Sequence, residues 1–282
     1  MRWIRFLGNS AGGGWGRAPR GEAFFRKVMQ IHRWLAADAV GKQIVGASTV
    51  ALVFFCLSGL YLRWPRKAWR WRSWLVLHWR LTGRGFLRQL HVIIGTWLVL
   101  AYLLMAVTGL TWSYPAFRTA LQDLAGMPAP AIGGGPRGAA SGSGSAAPEA
   151  PRVDVGAAFA AFHANVPSFS RVTLRLPAAP GQALELSYLD SDPEHERASH
   201  RLVLDAASLA VTAHERHDQK PVGQRLVASL FPLHSGSYFG WPGLLLFCLA
   251  SLAMPLFTVT GWQLYLDRRA KNKRRRNAPA RA

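Results

Sequence analysis

The chain has 282 residues, half of them hydrophobic, and carries 34 Lys and Arg against 14 Asp and Glu, a formal net charge of +20. The charge is segregated: residues 115–230 hold ten basic and eleven acidic residues, so the rest of the chain carries +21, packed between long uncharged runs. This excludes a disordered chain of low hydrophobicity. It also speaks against nucleic acid as a partner, because the basic clusters flank apolar segments and form no continuous basic face. The pattern is that of a membrane protein with basic flanks. The two cysteines, Cys56 and Cys248, lie inside apolar runs and are expected as small buried residues.

In chain order, residues 1–28 form a basic, Gly-rich segment without the apolar core of a cleavable signal peptide. Residues 29–117 hold two apolar runs, Ile44–Leu62 and Val92–Phe117, joined by a basic connector; residues 226–282 hold a third, Trp241–Leu266, followed by a basic tail. Each run meets the roughly 20 residues that a membrane-spanning helix needs. Pro255 interrupts the third, which a helical bundle tolerates when neighbours cover the freed carbonyl. Trp64, Trp112, Trp241, Trp262 and Tyr265 stand at run ends, as an aromatic belt would place them.

Between the second and third runs, residues 118–151 read as a flexible linker, nearly all Pro, Ala, Gly and Ser over Met127–Pro151. Residues 152–225 read as a small domain. It has a helix over Val153–Asn165 and strands over Arg171–Leu176, Ala183–Leu189, His200–Leu204 and Ala210–His214, separated by Pro, Gly and Asp turns. The expected fold is an all-α membrane bundle of three transmembrane helices with a small exported α+β domain. The connector holds eight basic residues from Arg63 to Arg88 and no acid, and the tail holds eight more from Arg268 to Arg281. Both are expected in the cytoplasm, with contact to anionic lipid as a by-product, and residues 118–230 outside. The basic N-terminal flank, with Arg26, Lys27 and Arg33, opposes this orientation, and two flanks outvote one.

Four of the nine histidines, His32, His78, His91 and His234, lie outside the small domain. His32 precedes Gly41 and Gly59 by 9 and 27 residues, and His234 precedes Gly243 and Gly261 by the same intervals. The later glycines sit in Ser58-Gly59-Leu60 and Thr260-Gly261-Trp262, and the middle run repeats this with His91 placed 18 residues before Thr108-Gly109-Leu110. Such repetition implies duplicated helix units, and small residues there let a backbone or a flat ring approach closely. Eighteen helical residues rise about 27 Å, near the hydrocarbon thickness. His32 and His234 therefore belong at similar depth at the outer interface, with His91 at the opposite edge. Facing imidazoles can supply both axial positions of a haem iron; alternatively a histidine at an interface is a plain amphipathic anchor, or a pair holds zinc or copper. No Cys or carboxylate cluster accompanies these four, and the apolar, aromatic surroundings suit a porphyrin better. The histidines of the small domain, with His214-Glu215-Arg216-His217 a weak metal signal, are expected to be solvated. No nucleophile motif, phosphate loop or dinucleotide fingerprint is present.

Gln30-Ile31-His32-Arg33-Trp34, Ser58-Gly59-Leu60-Tyr61-Leu62-Arg63-Trp64-Pro65-Arg66, Gln89-Leu90-His91 leading to Thr108-Gly109-Leu110, and Pro232-Leu233-His234-Ser235-Gly236 resemble the PepSY-associated transmembrane-helix family. That family includes bacterial inner-membrane reductases of siderophore iron uptake. The resemblance covers roughly residues 24–120 and 225–270; the small domain resembles a PepSY-type domain more weakly. It implies haem b in a helical bundle, with His32, His234 and His91 as iron ligands, and electrons passed outward to ferric iron or its chelates. Family members usually begin with one further span that carries its own histidine, followed by an exported domain. Residues 1–28 look like the end of such a domain, and His91 then lacks its expected partner. His78 is a substitute only if the chain breaks at Thr82-Gly83-Arg84-Gly85, because in one helix the two would stand about 20 Å apart on different faces.

Two readings follow. The first is a multi-pass inner-membrane haem protein, a candidate ferric or ferric-siderophore reductase, with a quinol or flavoprotein as cytoplasmic donor and a ferric chelate as periplasmic acceptor. The second is a non-enzymatic, membrane-anchored PepSY-type binding or regulatory module, in which Arg171–His217 carries function and the spans are scaffold.

Overall fold

The computed structural model describes residues 3–7, 21–64, 69, 74, 76, 80–127, 154–175 and 182–277. His78 and the linker beyond Met127 lie outside the described residues. The chain divides into a sheet unit, residues 1–28 with 115–232, and a membrane unit, residues 29–114 with 233–282.

In the sheet unit, β1 (Trp3–Leu7), β2 (Arg171–Arg175), β3 (Leu184–Leu189), β4 (His200–Leu204) and β5 (Val211–Glu215) form one antiparallel meander in that order. Alternation selects one face: Val172 and Leu174, Leu184, Leu186 and Tyr188, Leu202 and Leu204 all point into the core. Helix α5 (Val155–Asn165) covers that face with Ala158 and Phe162, both fully buried. Asp154 caps it, its carboxylate accepting from the Ala157 N–H at 3.0 Å. All four expected strands lie within a residue of expectation. β1 is a finding the sequence reading lacked: the N-terminal segment contributes an edge strand, Trp3 opposite Arg175 and Leu7 opposite Arg171.

In the membrane unit, α2 (Asp38–Arg63), α3 (Gly83–Ser113) and α7 (Gly240–Arg276) are long and apolar enough to cross a membrane. The fold is thus mostly helical, with three candidate spans and one small antiparallel sheet. α3 is the central helix, with seven buried residues against two on α2. Leu98, Ala101 and Tyr102 of α3 pack with Phe247 and Ala250 of α7. The Tyr102 hydroxyl donates to the Ala250 carbonyl at 2.7 Å, a contact worth on average about 0.6 kcal/mol between membrane helices. Ala250, fully buried, is small enough to admit that close approach. α7 runs unbroken through Pro255 and ten residues past Leu266 into the basic tail.

Three expectations are corrected. The second helix stops at Ser113 instead of Phe117, because Pro115 forces Tyr114 to φ −118°, ψ 106°; α4 (Pro115–Leu124) then starts afresh. Cys248 is exposed on α7 and Cys56 only half-buried, since an apolar run in a three-helix bundle has an outward face. His195, His200 and His217 are buried at 3–5% exposure, not solvated, because neighbouring polar groups engage the first two and the third packs its ring edge-on against His195 at 5.4 Å.

Candidate functional site in the membrane unit

Two helix ends present histidines in the same way. α1 (Glu22–Trp34) ends with His32 in its last turn, shortly before α2 begins at Asp38; α6 (Val222–Ser235) ends with His234 in its last turn, shortly before α7 begins at Gly240. The glycine nine residues after each histidine permits a close approach there. A Cβ on Gly41 would overlap the Trp34 carbonyl oxygen, and one on Gly243 would overlap the Gly236 carbonyl oxygen, in each case the carbonyl two residues after the histidine. Six residues after the histidine the backbone takes a positive φ in both, Asp38 at +44° and Gly240 at +65°. The spacing coincidence therefore reflects the same glycine–carbonyl approach at two helix junctions, of which the second alone contains a 3-10 turn, Ser237–Phe239. The first junction bears more strain, since Leu35, Ala36 and Asp38 all hold positive φ without being glycine, at roughly 1–2 kcal/mol each.

His32 and His234 stand together, ring centres 6.2 Å apart and tilted by 55°. His32 is exposed. The half-buried His234 has the Trp112 ring at 5.2 Å, so this tryptophan lines the histidine instead of only marking a run end. Its Nδ1 lies 3.0 Å from Thr108 Oγ1 and 2.9 Å from the Met105 carbonyl oxygen. A Cβ on Gly109 would stand 3.3 Å from its Cε1.

His91, on α3, is seated alike on α7. Its Nδ1 lies 2.8 Å from Thr260 Oγ1, its ring meets Phe257 edge-on at 5.2 Å, and a Cβ on Gly261 would stand 3.6 Å from its Cε1. The Thr-Gly pairs thus receive an imidazole from a neighbouring element: Thr108-Gly109 takes His234 and Thr260-Gly261 takes His91. The threonines were missed as functional residues, although the hydroxyl residue before each glycine was visible in the repeat. Ser58-Gly59 has the sequence of a third seat, and the Ser58 hydroxyl donates to the Phe54 carbonyl one turn back at 2.7 Å, but among the described residues nothing lies within 4 Å of a Cβ on Gly59 and no imidazole occupies it. α3 begins at Gly83, φ +56°, after an extended Thr82; His78, before it, lies outside the described residues.

The histidines of the sheet unit are arranged differently. His195 Nδ1 accepts from the Arg197 N–H at 3.1 Å and its Nε2 meets Ser229 Oγ at 3.0 Å. His200 Nδ1 accepts from the His217 N–H at 3.0 Å, its Nε2 faces Asp190 Oδ2 at 3.1 Å, and its ring stacks on Tyr188. The His217 ring nitrogens are buried with no hydrogen-bond partner among the described residues. Burial pushes all three below the usual histidine pKa, with Asp190 opposing it at His200 and Glu194 at His195. Among the described residues no three His, Cys, Asp or Glu side chains are placed to hold a metal ion on their own.

None of the curated proteins matches this chain. The family model described as the PepSY-associated TM region matches residues 5–268, almost the whole length. The chain belongs to that family.

Proposed function

We propose that this protein is a bacterial inner-membrane, b-type haem protein that passes electrons across the membrane to a periplasmic ferric acceptor, free iron or a ferric siderophore. The observation that carries this reading is the His32–His234 pair. Two imidazoles sharing one metal ion are separated by two bonds of roughly 2 Å and two ring radii, on the order of 6 Å between centres, and these rings stand 6.2 Å apart. Among the described residues the donor set fits haem: two imidazoles with an aromatic wall, and no group of three His, Cys, Asp or Glu side chains that would hold a metal ion by itself.

Haem, when bound, supplies one-electron Fe(III)/Fe(II) chemistry. The remaining work belongs to the chain. His32 and His234 hold the iron of the outer site, and His91 contributes a ligand to an inner one. Gly109 and Trp112 fix where the His234 ring lies. The apolar helices keep water away and hold the local dielectric low. A quinol or flavoprotein on the cytoplasmic side donates the electron, and a ferric chelate accepts it beside the exported sheet unit, which serves as a PepSY-type domain. The basic connector and tail set this orientation in the anionic inner membrane.

The test is a dithionite-reduced minus oxidised absorption spectrum of the detergent-purified protein and of His32→Ala and His234→Ala. A b-type α-band present in wild type and lost in both variants is expected. A folded wild type free of haem overturns the reading and leaves the scaffold-and-binding-module alternative.

A further inference from the structure

Two threonines, 152 residues apart, treat two histidines identically. Thr108, 4% exposed, donates its hydroxyl proton to the Leu104 carbonyl one turn back, and Thr260, 1% exposed, donates its own to the Leu256 carbonyl at 2.7 Å. A hydroxyl has one proton. With that proton directed to the carbonyl, each Oγ1 can only accept from the imidazole nitrogen beside it. His234 meets the same demand from a second side, because the Met105 carbonyl 2.9 Å from its Nδ1 has no proton to give. Nδ1 therefore carries the proton in both rings, and Nε2 carries the lone pair. Neither Nε2 has a protein partner among the described residues.

We infer that Thr260 and Thr108 are positioning residues: Thr260 locks His91 in the Nδ1–H tautomer, Thr108 shares that task at His234 with the Met105 carbonyl, and both aim Nε2 at the metal. The hydrogen bond fixes the ring and makes its free nitrogen a stronger donor, the usual role of a partner behind a ligating histidine. The role in metal binding presupposes the haem reading above; the tautomer lock stands on hydrogen bonding alone. The two seats differ in one respect. His234 keeps the Met105 carbonyl if Thr108 is lost, whereas Thr260 is the one hydrogen-bond partner of His91 Nδ1 among the described residues.

The experiment uses full-length protein in detergent with 15N-labelled histidine, comparing wild type, Thr260→Val, Thr260→Ser and Thr108→Val. Ring-nitrogen chemical shifts report the tautomer whether or not haem is bound. Wild type and Thr260→Ser are expected to show Nδ1–H at His91, and Thr260→Val a mixture with Nε2–H; His234 stays Nδ1–H in Thr108→Val. In parallel, the haem fraction lost in His91→Ala defines the His91 site. Thr260→Val weakens that site roughly 10–100-fold, Thr108→Val weakens the His234 site less, and the serine variant restores binding. Matching melting curves for the serine and valine variants separate positioning from misfolding. A wild-type His91 protonated at Nε2, or a Thr260→Val protein with wild-type ring shifts, overturns the inference. Wild type that shows the predicted shifts without haem supports the lock and sinks the proposed function instead. Wild type that binds haem while Thr260→Val is unchanged in shifts and haem sinks the lock alone.

Discussion

In the sheet unit, Phe162, Leu184, Leu186, Leu202 and Leu204 are 0–1% exposed, whereas on the membrane helices Phe54, Phe55, Leu62 and Leu100 stand 65–83% exposed. The same residue types fill a core in one region and form a lipid-facing surface in the other. Two pairs of histidines differ along the same line. In the sheet unit the protein engages both ring nitrogens of His195 and of His200. In the membrane unit, among the described residues, it engages Nδ1 alone of His91 and His234. Under the proposed function, the second nitrogen of His91 and of His234 is left for the haem iron; a single bond is not sufficient by itself, since among the described residues the sheet unit's His214 is held through Nε2 alone, by the Tyr188 hydroxyl at 2.7 Å.

Disruption confined to one region sharpens that contrast. The largest effect is expected from Phe162→Ala, which empties the space between α5 and the sheet and costs about 3–5 kcal/mol. Hydrogen exchange across residues 154–217 should accelerate while exchange in α2, α3 and α7 stays unchanged. Gly243→Ala sets a methyl group against the Gly236 carbonyl and should cost about 1–3 kcal/mol. It acts in the membrane unit, where loss of haem without faster exchange in the sheet is the expected readout. Acidification is the mildest probe. His195, His200 and His217 titrate below the ordinary histidine value because burial disfavours their charged forms, so the unfolded chain takes up protons first as pH falls. Their contribution to stability is complete above about pH 6.5 and is lost as pH drops through the lowered folded values. Exchange in β4 and around His217 should quicken between neutral and mildly acidic pH, well before the membrane helices respond.

Periodicity and composition made the three spans and four of the five strands legible, because each is a local pattern. β1 was hidden: its five residues pair with Arg171–Arg175, more than 160 positions away, and nothing in Trp3–Leu7 records that partner. The end of α3 was readable from Pro115 but was lost under the continuing apolar run. At the candidate site, the interval between histidine and glycine pointed to His32 and His234, and the close approach of Gly41 to the Trp34 carbonyl and of Gly243 to the Gly236 carbonyl explains why the interval repeats. The glycines after Thr108 and Thr260 were read as room for a flat ring; the ring in contact is the imidazole itself. Which nitrogen each histidine leaves free depends on the i−4 carbonyls that take the threonine protons, a three-dimensional fact with no linear signature. The burial of His195, His200 and His217 was invisible for the same reason, since Ser229 and Asp190 approach from other elements.

The most direct test sets one histidine of each kind against the other: haem content per chain, and exchange of the sheet unit, in His234→Ala and His200→Ala. His234→Ala should lose haem and leave exchange in the sheet unit unchanged, and His200→Ala should keep haem while the sheet unit loosens. Haem retained in full by His234→Ala, or lost equally from both variants, would contradict the division of the histidines into ligands and structural parts.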